Sequence, residues 1–335
     1  MKSFSLKSFI APLVGLSVCM LIIITCGKKP VESISLLFTG TFTSKYYFGL
    51  MLNTASMLMI SGCGALIAIK GGSMNLGGEG QIYVGGLIAG LVLSSNMNVH
   101  PAIQFCLALV LCILAGACLT GFSALLKELR GTEVLLTSFL LSAAIIPLAD
   151  GAITSINGKT EQNLIALPYI KDCFRIPRIL SPSPLTSVIF LSFTLCILTF
   201  FIYTKTYAGR KTIIWGKAPL FAKYSGYSSK ANTASTLCIS GALHSLTGFL
   251  SVAGTYYTCH QGFYSGMGWN ALSVALIASG NPISIIPSAL VLSWIYTSAD
   301  RVGLTQGFNF DISGIVQSCI LFSIAIQFIH RRKEK

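Results

Sequence analysis

Residues 71–81 read GGSMNLGGEGQ: five glycines, an asparagine and a carboxylate set between two apolar runs. Glycine has no side chain to bury and loses the most freedom on ordering, so a cluster of them marks backbone that must turn or be approached closely. Glu79 is one of only ten acidic residues in 335. The surroundings decide what such a stretch means. The chain is 53% hydrophobic and 10% charged, with a mean hydropathy of +0.75, whereas a soluble domain carries about a quarter charged residues. Apolar stretches near the roughly twenty residues that cross a hydrocarbon core as helix recur along it. The expected fold class is all-α, a polytopic membrane protein. Within it, GGSMNLGGEGQ is either a turn between spans or a shaped piece of a permeation path.

Ten spans are expected, near 8–27, 48–69, 80–97, 101–126, 133–150, 183–204, 234–254, 269–280, 282–299 and 311–330. The eighth is short and is divided from the ninth by Gly280-Asn281-Pro282, the pattern of a half-helix or re-entrant segment. The end of the first faintly resembles a lipoprotein cleavage site at Cys26, but Thr25 is a poor residue there and the segment reads as a span. With the N-terminus inside, fifteen Lys and Arg residues face the cytoplasm and eight face the other side. That asymmetry has the positive-inside direction and puts both termini in the cytoplasm. The net charge of +13 is read as loop retention, with no nucleic-acid partner. The eleven cysteines form no CxxC pair and no metal-binding spacing, so no metal site is expected. Most fall in apolar runs as small hydrophobes; Cys173 and Cys259 share one side, which leaves a disulfide open.

The chain is read as one transmembrane domain over 1–335. Residues 151–182 form an extracytoplasmic loop, expected as an ordered lid, and residues 205–233 a cytoplasmic one. The latter, KTYAGRKTIIWGKAPLFAKYSGYSSKANT, holds six basic residues and no acidic one. Ala218, Leu220, Phe221, Ala222 and Tyr224 put apolar groups on one short stretch. Pro219 suits its first turn and Gly226 its end. A short amphipathic helix on that face is a docking surface for headgroups or a partner protein. Internal repetition is weak: CLTGF (118–122) and SLTGF (245–249) match, and Gly-interrupted stretches at 71–80 and 262–268 each adjoin an apolar helix. Transporters often place their path where two such segments meet.

Three stretches in series resemble one family. GGSMNLGGEGQIYVGG (71–86) is similar to a G-x-x-N-[IL]-G-x-E-G-Q signature of permeases in ABC importers for simple sugars and nucleosides, within the branched-chain amino acid/ribose permease superfamily. WGKAPLFAKYSGY (215–227) resembles the G-x-N-P-x-A-A-x-Y-x-G cytoplasmic loop of those permeases. SGALHSLTGFLSVAG (240–254) and GMGWNALSVALIASGNPISIIPSAL (266–290) resemble their G-A-L-x-G-L-A-G and G-x-x-x-x-x-V-A-L-x-G-x-x-[NH]-P elements. The likeness runs in order from about 48 to 330. Ala218 stands where the family has Asn, His244 enters the G-A-L-x-G stretch, and Thr132-Glu133-Val134 replaces an Asn-Glu-Val-like element. These departures bear on the substrate more than on the class.

The resemblance implies a type II ABC importer-like permease of about ten transmembrane helices in a bacterial cytoplasmic (inner) membrane. It would pair with a second permease, as a homo- or heterodimer, and with an extracytoplasmic substrate-binding protein or lipoprotein. ATP and Mg would be bound by a partner ABC ATPase. The chain itself has no GxxxxGK[ST] and would need no cofactor. It is not expected to be an enzyme: no paired acids, Ser/His set or HExxH is present. An ion-gradient-driven transporter of a small polar solute is the competing class. It calls for ionisable residues within spans, and few exist beyond Glu79, Glu133, Asp150 and His244. His244 reads as a satisfied core residue.

The residues expected to border the path are Asn75, Glu79, Gln81, Trp269 and Asn281. Glu79 either faces the path or caps the N-terminus of the third span, and Asn75 satisfies backbone freed by the interruption. Tyr256, Tyr257, Phe263, Tyr264 and Trp269 suit either ring stacking or an interfacial belt. The coupling helix is expected to use Gly216, Lys217, Pro219, Phe221, Ala222, Tyr224 and Gly226. Nucleosides are the expected cargo, with simple sugars next.

Overall fold

The computed structural model describes residues 10–27, 29–157 and 164–333, with side chains as far as 326 in the last helix. Lys2, Lys7, Lys28, Lys159, Lys335 and the side chains of Arg331, Arg332 and Lys333, on which part of the charge asymmetry rests, lie outside the described residues. Thirteen α-helices organise the described residues. In chain order they are α1 (Ile10–Cys26), α2 (Pro30–Thr43), α3 (Lys45–Lys70), α4 (Gly78–Ser94), α5 (Pro101–Arg130), α6 (Val134–Asn157) and α7 (Val188–Lys205). Then follow α8 (Tyr207–Lys217), α9 (Pro219–Tyr224), α10 (Ser229–Ser251), α11 (Met267–Ile277), α12 (Ile285–Gln306) and α13 (Ile312–Lys333).

Among the described residues, six helical stretches are long and apolar enough to cross a membrane: α3, α5, α6, α7, α10 with the turn after it, and α12 with the turn before it. The chain is an all-α, multi-pass membrane protein, and each of the ten expected spans coincides with a helix. Helix α2 was not expected. Its hydroxyl-rich sequence, PVESISLLFTGTFT, lowers its hydropathy, yet four of its five hydroxyls are answered by nearby backbone or by α12. Ser33 and Thr39 donate to carbonyls four residues back, and Thr41 shares a 2.6 Å hydrogen bond with Ser298. Phe38 and Phe42 pack on Trp294. The expected loop at 151–182 also begins later, because α6 runs on to Asn157. The loop at 205–233 is mostly helical.

Burial separates an inner from an outer layer. In its most apolar stretch α3 is 83% buried, against 22% for α5 and α6, so α3 is central and the other two present apolar side chains outward. The close approaches are made by small residues, as expected where lipid offers no hydrophobic drive between helices. Gly116 of α5 and Gly241 of α10 face each other so closely that a Cβ on either would strike the other's carbonyl oxygen. Ser245 donates to the Cys112 carbonyl at 2.6 Å one turn along. The glycines of the two LTGF copies, Gly121 and Gly248, both lie at such approaches, to Cys238 and to the Ile82 carbonyl.

Cys173 and Cys259 are free thiols, Cys259 buried and Cys173 exposed, and do not form the disulfide that their positions left open. The described part of the 151–182 loop is ordered on the end of α10: Leu167, Ile170 and Ile176 donate backbone N–H groups to Cys259, Tyr257 and Ala253.

Candidate functional site

The two glycine-interrupted stretches meet inside the bundle. After α3 ends at Lys70, residues 71–77 run non-helically along α10, with Gly71 beside Thr236, Asn75 on Ser240 and Gly78 beside His244. After the π-helical turn Val252–Tyr256, residues 257–266 return along α4, with Cys259 beside Gly90 and Phe263 beside Gly86. The two paths converge where Gly78 and Gly268 touch. There α4 and α11 start N-terminus to N-terminus and diverge, α4 toward Lys171 and α11 toward Lys70. Two helix N-termini in apposition bring two positive dipole ends together.

Glu79 lies at that junction. Its Oε1 accepts hydrogen bonds from the backbone N–H groups of Gly268 (2.9 Å) and Trp269 (3.1 Å). It therefore caps α11, not the helix it begins. Side chains tilt toward the N-terminus of their own helix, and from the first turn of α4 that direction leads across the junction. Asn75 and Gln81 clasp each other through two amide hydrogen bonds of 2.9 and 3.0 Å. Asn75 also donates to Ser240 and accepts from the Gly77 N–H. The clasp folds 75–81 back on itself and pins it to α10. Trp269 packs its ring on Phe139. Asn281 stands apart at the far end of α11, accepting from the Ile283 N–H. His244 is buried and bonds to the Ser240 carbonyl through Nδ1, a satisfied core histidine.

None of these five path candidates lines the polar cavity bordered by α3, α11 and α12. That cavity, of about 570 Å³, lies at the end of the bundle away from α9. Its floor and walls include Asn53 of α3, Thr255 of the π-helical turn, Asn270 of α11 and Tyr296 of α12, with Arg178 and Pro182 from the long loop. Such a volume is in the range of small-molecule pockets, ~300–1,000 Å³. Tyr256 lines it, whereas Tyr257 lies under Arg175 and Arg178, and Phe263 and Tyr264 pack on Tyr83. Sequence reasoning passed over Asn53 and Asn270. A carboxamide inside an apolar span was the available signal.

At the opposite end, α9 spans Pro219–Tyr224 with Pro219 in its first turn, and Gly226 follows with φ 78°. Ala222 is buried while Leu220, Phe221 and Tyr224 are exposed, so apolar side chains project from the protein. Lys217 is exposed beside them. Gly216 has a different role. It seats α8 on the turn after α3, where a Cβ would strike the Lys70 carbonyl. The same turn is gripped by Asn232, which donates to the Gly71 carbonyl at 3.1 Å, and by Lys127, which donates to Ser73 at 3.0 Å.

Residues 46–325 match the family model described as branched-chain amino acid transport system / permease component. The chain is 32% identical over 96% of its length to a probable riboflavin import permease protein of Treponema pallidum, covering 86% of that protein. It is 23% identical to a guanosine ABC transporter permease protein of Bacillus subtilis, over 99% of this chain and 97% of that one. A nucleoside ABC transporter permease protein of Lactococcus lactis is 25% identical, over 97% and 91% respectively. A membrane-embedded bundle with an interrupted-helix junction, a cavity at one end and exposed apolar side chains at the other agrees with that match. The chain belongs to the branched-chain amino acid transport system / permease component family and is a multi-pass permease subunit of an ABC importer, not itself an enzyme.

Proposed function

We propose that this permease moves an uncharged, hydroxyl-rich ring compound inward across a bacterial cytoplasmic membrane, a nucleoside or riboflavin in preference to a simple sugar. The relatives named for riboflavin, guanosine and nucleosides support that cargo. In this reading the α9 end and both termini are cytoplasmic, and the cavity opens toward an extracytoplasmic binding protein or lipoprotein. A second permease subunit completes the path, and a separate ATPase binds ATP and Mg²⁺.

One observation carries the mechanism: the loop bearing α9 is seated through Gly216 on the turn at Lys70–Gly72. Helix α9 docks its exposed Leu220, Phe221 and Tyr224 in a groove of the ATPase, with Lys217 at the rim. ATPase closure then presses α8 on that turn. The Asn75–Gln81 clasp and the Glu79 cap pass the movement to α4 and α11, and α11 forms part of the cavity wall. Rigid elements with two packed arrangements convert such small shifts into alternating access.

The test is uptake in vesicles reconstituted with the complete transporter, with and without ATP. Phe221→Asp is expected to reduce ATP-driven uptake at least tenfold while the permease still inserts, because a carboxylate replaces the apolar anchor. Gly216→Val is expected to leave ATP hydrolysis running with uptake reduced about tenfold. Uptake by this chain alone under an ion gradient would reject the reading.

A further inference from the structure

Nine buried side-chain polar atoms among the described residues have no hydrogen-bond partner within the protein, and three belong to residues that line the cavity described above: Asn53 Oδ1, Asn270 Oδ1 and the Tyr296 hydroxyl. Each of these side chains is more than nine-tenths buried, at 4%, 8% and 7% exposure. Each comes from a different helix, α3, α11 and α12. A buried polar atom left unpaired costs about 1–3 kcal/mol. Helix packing does not require this cost here, since an apolar residue of similar size would fill any of the three places.

We propose that Asn53, Asn270 and Tyr296 form a substrate-reading site within the permease itself, so that selection is not left wholly to the external binding protein. The inference rests on the importer reading and names the ligand chemistry of its cavity. Two amide oxygens accept hydrogen bonds and one phenol both donates and accepts. None of the three is charged. The matching ligand is an uncharged heterocycle with several O–H or N–H donors and at least one carbonyl. The rings of Tyr46, Tyr256 and Tyr296 along the same cavity give a flat ring faces to pack on.

The geometry also defines what holds the site. Asn53 donates through Nδ2 to Thr255 Oγ1 at 3.0 Å, which fixes its amide against the π-helical turn. Asn270 directly follows the two residues whose N–H groups Glu79 caps. Glu79 is thus a positioning residue for Asn270.

The experiment uses the complete transporter, purified through a tag on this chain and held in lipid nanodiscs without its binding protein. Riboflavin is the probe, followed by quenching of its fluorescence, and guanosine is the competitor. Saturable quenching is expected, relieved by guanosine. Asn270→Leu and Asn53→Leu are expected to weaken it at least tenfold. Tyr296→Phe, which keeps the ring and removes only the hydroxyl, is expected to weaken it about fivefold with an unchanged size-exclusion profile, and so separates recognition from folding. Unchanged affinity in Tyr296→Phe and in Asn270→Ser would overturn the site. So would absence of saturable binding in a transporter that imports either probe through its binding protein, and the importer reading would then survive. A transporter that neither imports nor binds riboflavin or guanosine overturns both the proposed cargo and the site.

Discussion

Replacing Glu79 with alanine is expected to abolish ATP-driven uptake, a loss of at least a hundredfold. The carboxylate accepts from two backbone N–H groups, on Gly268 and Trp269, that have no other partner at the start of α11. Each would be left buried and unsatisfied at about 1–3 kcal/mol. The two opposed helix N-termini would also lose the acceptor group between them. The first turn of α11 would fray, and with it the position of Asn270 in the cavity wall. Glu79→Gln keeps an acceptor oxygen and is expected to retain measurable uptake. Hydrogen exchange over residues 266–272 reads the local effect directly: faster exchange in Glu79→Ala, little change in Glu79→Gln. Normal uptake in the alanine variant would refute the capping role.

Gly241→Leu is expected to remove the folded permease from the membrane, with at least a tenfold drop in recovered protein. A side chain at 241 would enter the Gly116 carbonyl and the Thr120 hydroxyl, with no flexible neighbour to give way. Helices α5 and α10 would be forced apart, and the Ser245–Cys112 hydrogen bond beside them would break. Gly151 offers the control. Nothing lies within 4 Å of the place where its Cβ would be, so Gly151→Leu is expected to accumulate normally. Quantifying tagged protein in membranes and on size exclusion separates the two outcomes. Equal recovery would mean that the α5–α10 contact tolerates separation.

The interrupted stretches at 71–80 and 262–268 were legible because glycine clusters inside apolar sequence have few other uses in lipid. Their meeting was legible only as a tendency of transporters. Helix α9 was legible almost to the residue, since Pro219 and Gly226 bracket it and local backbone preferences settle so short an element. Helix α2 was not. Its serines and threonines read as loop until their hydroxyls are seen bonding within the helix and to Ser298. The path residues divide in the same way. Asn75, Glu79 and Gln81 stood out by type, yet all three bond to the protein itself. Asn53, Asn270 and Tyr296, spread over some 240 positions of sequence, drew no notice because no local pattern joins them.

The sequence by itself determined the membrane setting, the helical class and the family, because hydropathy, helix-ending residues and ordered motifs act over a few turns of chain. Only the tertiary structure decided that the polar side chains of GGSMNLGGEGQ bond to one another, to α10 and to the start of α11. Whether a polar atom is spent on its own backbone, on a facing helix or on a ligand depends on which neighbours close over it. Glu79 faces the start of α11, and its partners lie 189 and 190 residues further along the chain.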